Sequence, residues 1–145
     1  MLKGLDSLLT PELLMHLSAM GHGEWVAVVD ANFTADFLGK GKALVRLPGH
    51  SLERVSKAVL SVFPLAEDVA CPAAYMQVCH SPEGHQTAAQ ASVVALLLHE
   101  GLPASRVEAV ERFAFYEKIK GASVIVQSGE ATAYGNAMFC KGVIL

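Results

Sequence analysis

The sequence predicts a single α/β domain built as a layered sheet flanked by helices. Its 145 residues are the size of one domain and can bury a core without disulfides or metal. Hydrophobic residues make up 52% of the chain and charged residues 17%, which excludes a disordered chain. Helical and strand patterns alternate from end to end, and this alternation is typical of a largely parallel or mixed sheet.

The first two elements are a helix and a buried strand. Thr10 can cap a helix and Pro11 is tolerated at its first position, while Gly21 supplies the stop. The run Trp25–Val29 is continuously apolar and ends at Asp30, which is typical of a strand covered on both faces.

The remaining elements follow from the same criteria. Apolar or β-branched runs bounded by Gly, Pro or polar residues predict strands at 43–47, 74–79, 107–110, 123–127 and 137–141. Apolar residues three and four positions apart predict helices at 51–62, 87–100 and 112–120. In the last of these helices, we expect two of Phe113, Phe115 and Tyr116 to pack in the core.

Charge and hydropathy exclude several classes of partner. The net charge is −3 and no basic run could follow a phosphate backbone, so no nucleic acid is expected. No apolar stretch approaches the roughly 18 residues of a membrane span, and no unbroken apolar segment resembles a signal peptide. We therefore expect a cytoplasmic protein without membrane contact. Because little charge is available to cover the surface, we also expect a homo-oligomer.

Cysteine and histidine spacing predicts no metal centre. Cys71, Cys79 and Cys140 are odd in number and form no C-x-x-C pair, so they are interpreted as buried small apolar residues. Cys79, His80 and His85 match no standard zinc spacing. No phosphate-binding, dinucleotide-binding or nucleophile-elbow motif is present, and we expect neither metal nor cofactor.

Two segments flanking the first strand carry candidate chemistry. Asp30 follows that strand, where open α/β sheets bind ligands, although an Asx-turn explains it equally well. His22 lies between Gly21 and Gly23, which leaves the imidazole uncrowded for proton transfer near neutral pH. A histidine at a helix C-terminus is the simpler interpretation of His22.

Two later segments could bind a polar ligand. Arg112 precedes aromatic residues, a combination that can hold hydroxyl groups beside a flat apolar face, although a surface arginine paired with Glu108 or Glu111 is the plainer interpretation. Tyr134 and Asn136 flank Gly135 and offer donors and acceptors, in what is otherwise an ordinary turn.

Taken together, these segments resemble the fucose branch of the ribose pyranase/fucose mutarotase (RbsD/FucU) family. The collinear matches are Met-Leu-Lys at 1–3, Leu-Thr-Pro-Glu-Leu-Leu at 9–14, Met-Gly-His-Gly at 20–23, Asp-Ala-Asn-Phe at 30–33, Arg-Phe-Ala-Phe-Tyr-Glu at 112–117, Gly-Glu at 129–130, Tyr-Gly-Asn at 134–136 and Lys-Gly-Val at 141–143. The resemblance implies one RbsD-like mutarotase domain over residues 1–145. It also implies a ring-shaped homodecamer with active sites between neighbouring subunits.

The resemblance further implies an isomerase without cofactor that interconverts the α and β anomers of a free monosaccharide, L-fucose above all. The catalytic histidine falls on His22, and the substrate-binding residues fall on Asp30, Arg112, Tyr134 and Asn136. The second acid/base group is left open between Asp30, Tyr134 and a held water.

The sequence leaves three other functions open. They are a ribose pyranase acting on D-ribose, a sugar-binding transport accessory without catalysis, and a purely structural ring. Arg112 separates the chain from the ribose branch, where a histidine is expected. Asn32 stands where some fucose members have a histidine.

Overall fold

Helices and strands alternate along the chain as the sequence pattern predicts. A computed structural model describes all of residues 1–145. Its elements, in order, are α1 (Pro11–Ala19), β1 (Trp25–Val29), α2 (Ala35–Leu38), β2 (Ala43–Leu47), α3 (Leu52–Leu60), β3 (Ala73–Met76), α4 (Ala88–His99), β4 (Val107–Val110), α5 (Arg112–Lys120), β5 (Ala122–Ser128) and β6 (Ala137–Cys140).

The four-residue helix α2 was not predicted, because it is too short to show a helical period. Strand β3 ends at Met76, three residues before the predicted end. Neither neighbouring strand, β4 or β6, extends past that point, so β3 has no partner strand beyond Met76. As a result, Cys79 lies in the loop between β3 and α4.

The prediction that all three cysteines are buried is wrong for two of them. Cys140 is buried in β6, whereas Cys71 and Cys79 are half-buried in loops. Of the α5 aromatics, Phe115 is fully buried in the core and the half-buried Tyr116 packs against it, whereas Phe113 is 66% exposed.

The six strands form one mixed sheet in the order β2-β5-β1-β6-β3-β4. Strand β5 pairs in parallel with both β1 and β2, and β3 pairs in parallel with β4. Strand β6 runs antiparallel to its neighbours β1 and β3. Five strands therefore end at one edge of the sheet, here called the carboxyl edge, and β6 begins there.

Helices cover both faces of the sheet. Val26 and Val28 of β1 belong to a core of 23 buried residues that also includes residues of α1, α3 and α4. Ala27 and Val29 belong to a second core of 12 buried residues with residues of α2 and α5. Strand β1 is thus covered on both faces, as its continuous apolar sequence predicts. No helix in the protein is both long and apolar enough to cross a membrane.

Candidate active site

A cavity of about 530 Å³ opens at the carboxyl edge of the sheet, beside α5. It collects the ends of β1 and β3, the first turn of α5 and the turn before β6. Four of the five predicted site residues line it, namely Asp30, Arg112, Tyr134 and Asn136, together with Asn32. The structure therefore brings together residues more than a hundred positions apart in the sequence.

Asp30 follows the last residue of β1 and is only 5% exposed. Its Oδ1 accepts a hydrogen bond of 2.9 Å from the backbone N–H of Asn32, which closes an Asx-turn. The Asx-turn interpretation of Asp30 is confirmed, and because the residue also lines the cavity, its contact with a ligand stays a prediction.

Asn136 and Asp30 hold each other through two hydrogen bonds. Asn136 Oδ1 accepts from the Asp30 backbone N–H at 2.9 Å, and Asn136 Nδ2 donates to Asp30 Oδ2 at 3.0 Å. The pairing arises because β6 runs antiparallel beside β1, so the residue before β6 lies beside the end of β1. The amide group of Asn136 is thus largely committed to orienting the carboxylate of Asp30.

Burial raises the pKa of Asp30 above its usual value of 3.8, and the hydrogen bonds from Asn32 and Asn136 oppose the increase. Of the Asp30 carboxylate's two oxygens, one accepts from Asn32 and one from Asn136. Each oxygen keeps a further lone pair for a ligand. A carboxylate with a raised pKa is a stronger base than an exposed aspartate.

Arg112 is the first residue of α5, and Glu111 caps that helix by accepting from the backbone N–H groups of Phe113 and Ala114. Arg112 Nε donates to the Tyr116 hydroxyl at 2.9 Å, and the guanidinium lies 5.6 Å from the centre of the Tyr116 ring. Its polar partner is therefore Tyr116 and not Glu108 or Glu111. The charged group stays at the cavity wall with donors to spare.

Tyr134 adopts a left-handed backbone conformation, with φ of 62°, which is uncommon for a residue other than glycine. The next residue, Gly135, has no room for a side chain, since an added Cβ would lie 2.8 Å from Glu130 Cγ. A side-chain hydrogen bond with Cys79 and burial raise the pKa of Tyr134 above its usual value. The phenol of Tyr134 therefore stays protonated at neutral pH.

His22 does not reach this cavity within its own chain. It precedes β1 while Asp30 follows it, and the five residues of β1 advance the chain by about 3.3 Å each, or roughly 16 Å in all. His22 Nε2 instead lies 2.9 Å from Asp68 Oδ1 at the opposite edge of the sheet, and the two side chains are 44% and 61% exposed. The hydrogen bond from His22 lowers the pKa of Asp68.

Three residues near the predicted site were not identified from the sequence. Asp68 is the hydrogen-bond partner of His22, and Cys79 is a half-buried loop residue beside Tyr134. Gln90 contacts the backbone of Tyr134 although 44 positions separate them. The spacing of Thr87 and Gln90 is a helix-capping signature, which could have identified Gln90 as a cap but not its contact with Tyr134.

The loop that carries Cys79, His80 and His85 holds no metal-binding arrangement. Nowhere in the chain do three or more His, Cys, Asp or Glu side chains come together in a group that could hold a metal ion. The polar groups that line the cavity are instead suited to hydrogen bonding with a small hydroxylated ligand.

The sequence has close counterparts among characterised proteins. The model of the RbsD/FucU transport protein family matches residues 3–144. Human fucose mutarotase is 37% identical over 146 residues, which cover 99% of this chain and 94% of the human protein. The L-fucose mutarotase of Glaesserella parasuis serovar 5 is 36% identical over 143 residues, which cover 99% of this chain and 96% of that protein.

The fold is also shared with solved structures. The crystal structure of the fucose mutarotase from Streptococcus pneumoniae in complex with L-fucose superposes with a TM-score of 0.88 at 27% sequence identity. The superposition covers 99% of this chain and all of the other. The architecture described above is therefore that of the fucose-binding relative.

Proposed function

Because the chain belongs to the RbsD/FucU family, we propose that it is a mutarotase that interconverts the α and β anomers of L-fucose. The observation that carries this proposal is the similarity, over nearly the whole chain, to proteins named fucose mutarotase from animals and bacteria. The cavity at the carboxyl edge supports it, because a buried carboxylate, a phenol and an arginine suit a small sugar.

We propose that each active site is completed by a neighbouring subunit. The support is the distance between His22 and Asp30, which lie at opposite ends of β1. Exposed apolar side chains, among them Phe37, Phe113 and Ile144, offer surface for contacts between subunits. The assembly we propose is the ring-shaped homodecamer that the sequence resemblance implies, with His22 of one subunit facing the cavity of the next.

In this site, mutarotation needs one proton removed and one supplied. The base takes the proton of the anomeric hydroxyl as the bond between the anomeric carbon and the ring oxygen breaks, and the acid protonates that ring oxygen. The product is the open-chain aldehyde. Rotation about the bond to the aldehyde carbon and the reverse proton transfers close the ring as the other anomer, so no net proton is gained or lost.

We assign the acid to His22 and the base to Asp30. The raised pKa of Asp30 strengthens it as a base, and Asn136 fixes its orientation. Tyr134 is not available as the base near neutral pH, because its pKa is raised further from a value already well above neutrality and the phenol stays protonated. The structure thus favours Asp30 among the alternatives that the sequence leaves open, with Tyr134 as a hydrogen-bonding group for the sugar.

Arg112 and Tyr134 would bind sugar hydroxyl groups, and the apolar lining favours L-fucose over D-ribose. Phe33, Met76 and Ala133 line the cavity beside the polar groups. L-Fucose carries a methyl group on its ring, which gains free energy from apolar contact, whereas D-ribose has no such group.

We propose that the protein acts in the cytoplasm. Kinases and isomerases that use an imported sugar accept one anomer, so an enzyme that equilibrates the anomers has its use where those enzymes work.

Saturation-transfer NMR on equilibrated L-fucose and D-ribose tests the proposed function. We expect the protein to accelerate exchange between the α and β signals of L-fucose more than the exchange of D-ribose. Preference for D-ribose would indicate a ribose pyranase, and binding of L-fucose without faster exchange would indicate a transport accessory. Either result would contradict the proposal.

A further inference from the structure

One fully buried glutamine joins two walls of the candidate site. Gln90 lies in the first turn of α4 with no exposed surface. Its Nε2 donates to the backbone carbonyl of Met76 at 2.6 Å and to that of Tyr134 at 2.8 Å. Its Oε1 accepts from the backbone N–H of Thr87 at 3.0 Å. Every hydrogen atom of the amide is therefore in use.

The two carbonyl groups belong to residues that line the cavity. Met76 ends β3, and Tyr134 lies in the turn that leads into β6. The Met76 backbone N–H also donates to the Asn136 carbonyl at 3.1 Å. Gln90 thus ties the Tyr134 turn to the same strand end that supports Asn136, the partner of Asp30.

Tyr134 needs such support because of its backbone conformation. A left-handed conformation is unfavourable for a tyrosine and persists only when the surroundings impose it. The Tyr134 carbonyl accepts two hydrogen bonds that help to impose it, one from the Asn136 backbone N–H at 2.8 Å and one from Gln90 Nε2. The Gln90 bond is the one that connects this turn to the carbonyl of Met76 at the end of β3. Only a side chain with two donors on one nitrogen can hold both carbonyls in this way.

We propose that Gln90 is a positioning residue for the mutarotase reaction, acting through the Tyr134 backbone to set the Tyr134 phenol against the sugar. The inference rests on the proposed function. It also assigns a role in the site to the start of α4, an element whose side chains do not themselves line the cavity.

A purely structural role for Gln90 is the competing explanation. Gln90 and Thr87 form a capping box, in which the Thr87 side chain accepts from the Gln90 backbone N–H at 3.2 Å. Thr87→Ala removes this cap from the same helix end but leaves the Nε2 bonds to Met76 and Tyr134 in place. It is therefore the matched control for a loss of helix stability.

The test compares Gln90→Met with Thr87→Ala in the exchange assay on L-fucose, with KM and kcat determined separately on the assembled protein. We expect both variants to lower the melting temperature. Gln90→Met is expected to raise KM about tenfold, because a displacement of about 1 Å in a site has effects of this size or larger. Thr87→Ala is expected to leave KM unchanged.

A second comparison uses Tyr134→Phe, which removes the group that Gln90 is proposed to position. In the Tyr134→Phe background, Gln90→Met should change KM far less than in the wild type. Equal effects in both backgrounds, or an unchanged KM in Gln90→Met, would overturn the proposal. If Gln90→Met does not assemble, Gln90→Glu keeps the size and the acceptor for Thr87 and enters the same comparison.

The outcomes separate this inference from the proposed function. A wild-type protein that does not accelerate L-fucose exchange would overturn the function itself. An active wild type whose Gln90 variants keep the wild-type KM would overturn only the positioning role. Failure of both Gln90 variants to fold, with Thr87→Ala folded, would assign Gln90 to stability alone.

Discussion

Replacing His22 by alanine is expected to slow L-fucose exchange by about 10²- to 10⁴-fold, the usual contribution of a positioned acid or base. The substitution removes the group that we propose protonates the ring oxygen, and it leaves the cavity of Asp30, Arg112 and Tyr134 intact. Sugar affinity should therefore change little while kcat falls. The measurement is saturation-transfer exchange together with L-fucose binding on the same sample.

The matched control is His99→Ala, which removes an imidazole from the end of α4. We expect it to keep wild-type exchange. A His22→Ala protein that is assembled and fully active would contradict the role of His22. Equal losses in both variants would show that the effect is not specific to His22.

Moving the carboxylate away from position 30 is expected to slow L-fucose exchange to a similar extent. The two oxygens of Asp30 accept from the backbone N–H of Asn32 and from the side-chain amide of Asn136. In Asp30→Asn, one of these two donors would face the N–H group of the new amide. The variant should therefore lose both the proposed base and some stability. By contrast, Asp30→Asn combined with Asn136→Asp can remake every hydrogen bond between the two positions, because donor and acceptor are exchanged.

We expect the double variant to recover most of the melting temperature of the wild type but not its exchange rate. The carboxylate then lies at position 136, away from the place from which Asp30 is proposed to reach the anomeric hydroxyl. Thermal unfolding and saturation transfer on the wild type, Asp30→Asn and the double variant make the comparison. Wild-type exchange in the double variant would contradict the assignment of Asp30 as the base.

The assignment of Asp30 as the base also predicts the direction in which stability and exchange change with pH. Because burial raises the pKa of Asp30 above 3.8, the folded protein binds more protons than the unfolded chain in the range just above that value. The stabilising contribution of Asp30 is therefore full below 3.8 and is lost as the pH rises through the folded pKa. Exchange should run the opposite way in the wild type, rising with pH as Asp30 ionises. In Asp30→Asn, both dependences should be absent.

The elements of this fold were largely predictable, whereas the neighbours of each side chain were not. The apolar run Trp25–Val29 predicts a buried strand and places Asp30 at its end. Only the antiparallel pairing of β1 with β6, which is a property of the folded sheet, brings Asn136 beside Asp30. The sequence resemblance assigned Asn136 to the sugar, and the structure gives it first to the carboxylate.

The sequence alone already implies that His22 lies far from Asp30 within one chain. A five-residue strand between His22 and Asp30 already requires that the two residues lie at opposite edges of the sheet. The contact of Gln90 with Tyr134 could not be predicted in this way. The residues around Gln90 in the sequence show a helix cap, but they do not show that its side chain also holds the backbone of Tyr134, 44 positions away. Patterns along the chain predict elements and their ends, while long-range hydrogen bonds depend on the assembled fold.

Mixing His22→Ala subunits with Asp30→Asn subunits tests most directly whether one site is built by two chains. Each variant alone is expected to be inactive. In a mixed ring, a His22→Ala subunit supplies an intact cavity and an Asp30→Asn neighbour supplies His22, so about a quarter of the sites in a one-to-one mixture should be complete. Each variant carries its own affinity tag, and purification on both tags in turn isolates the mixed oligomers. Recovery of about a quarter of wild-type L-fucose exchange is the predicted result, and no recovery in verified mixed oligomers would contradict the shared site.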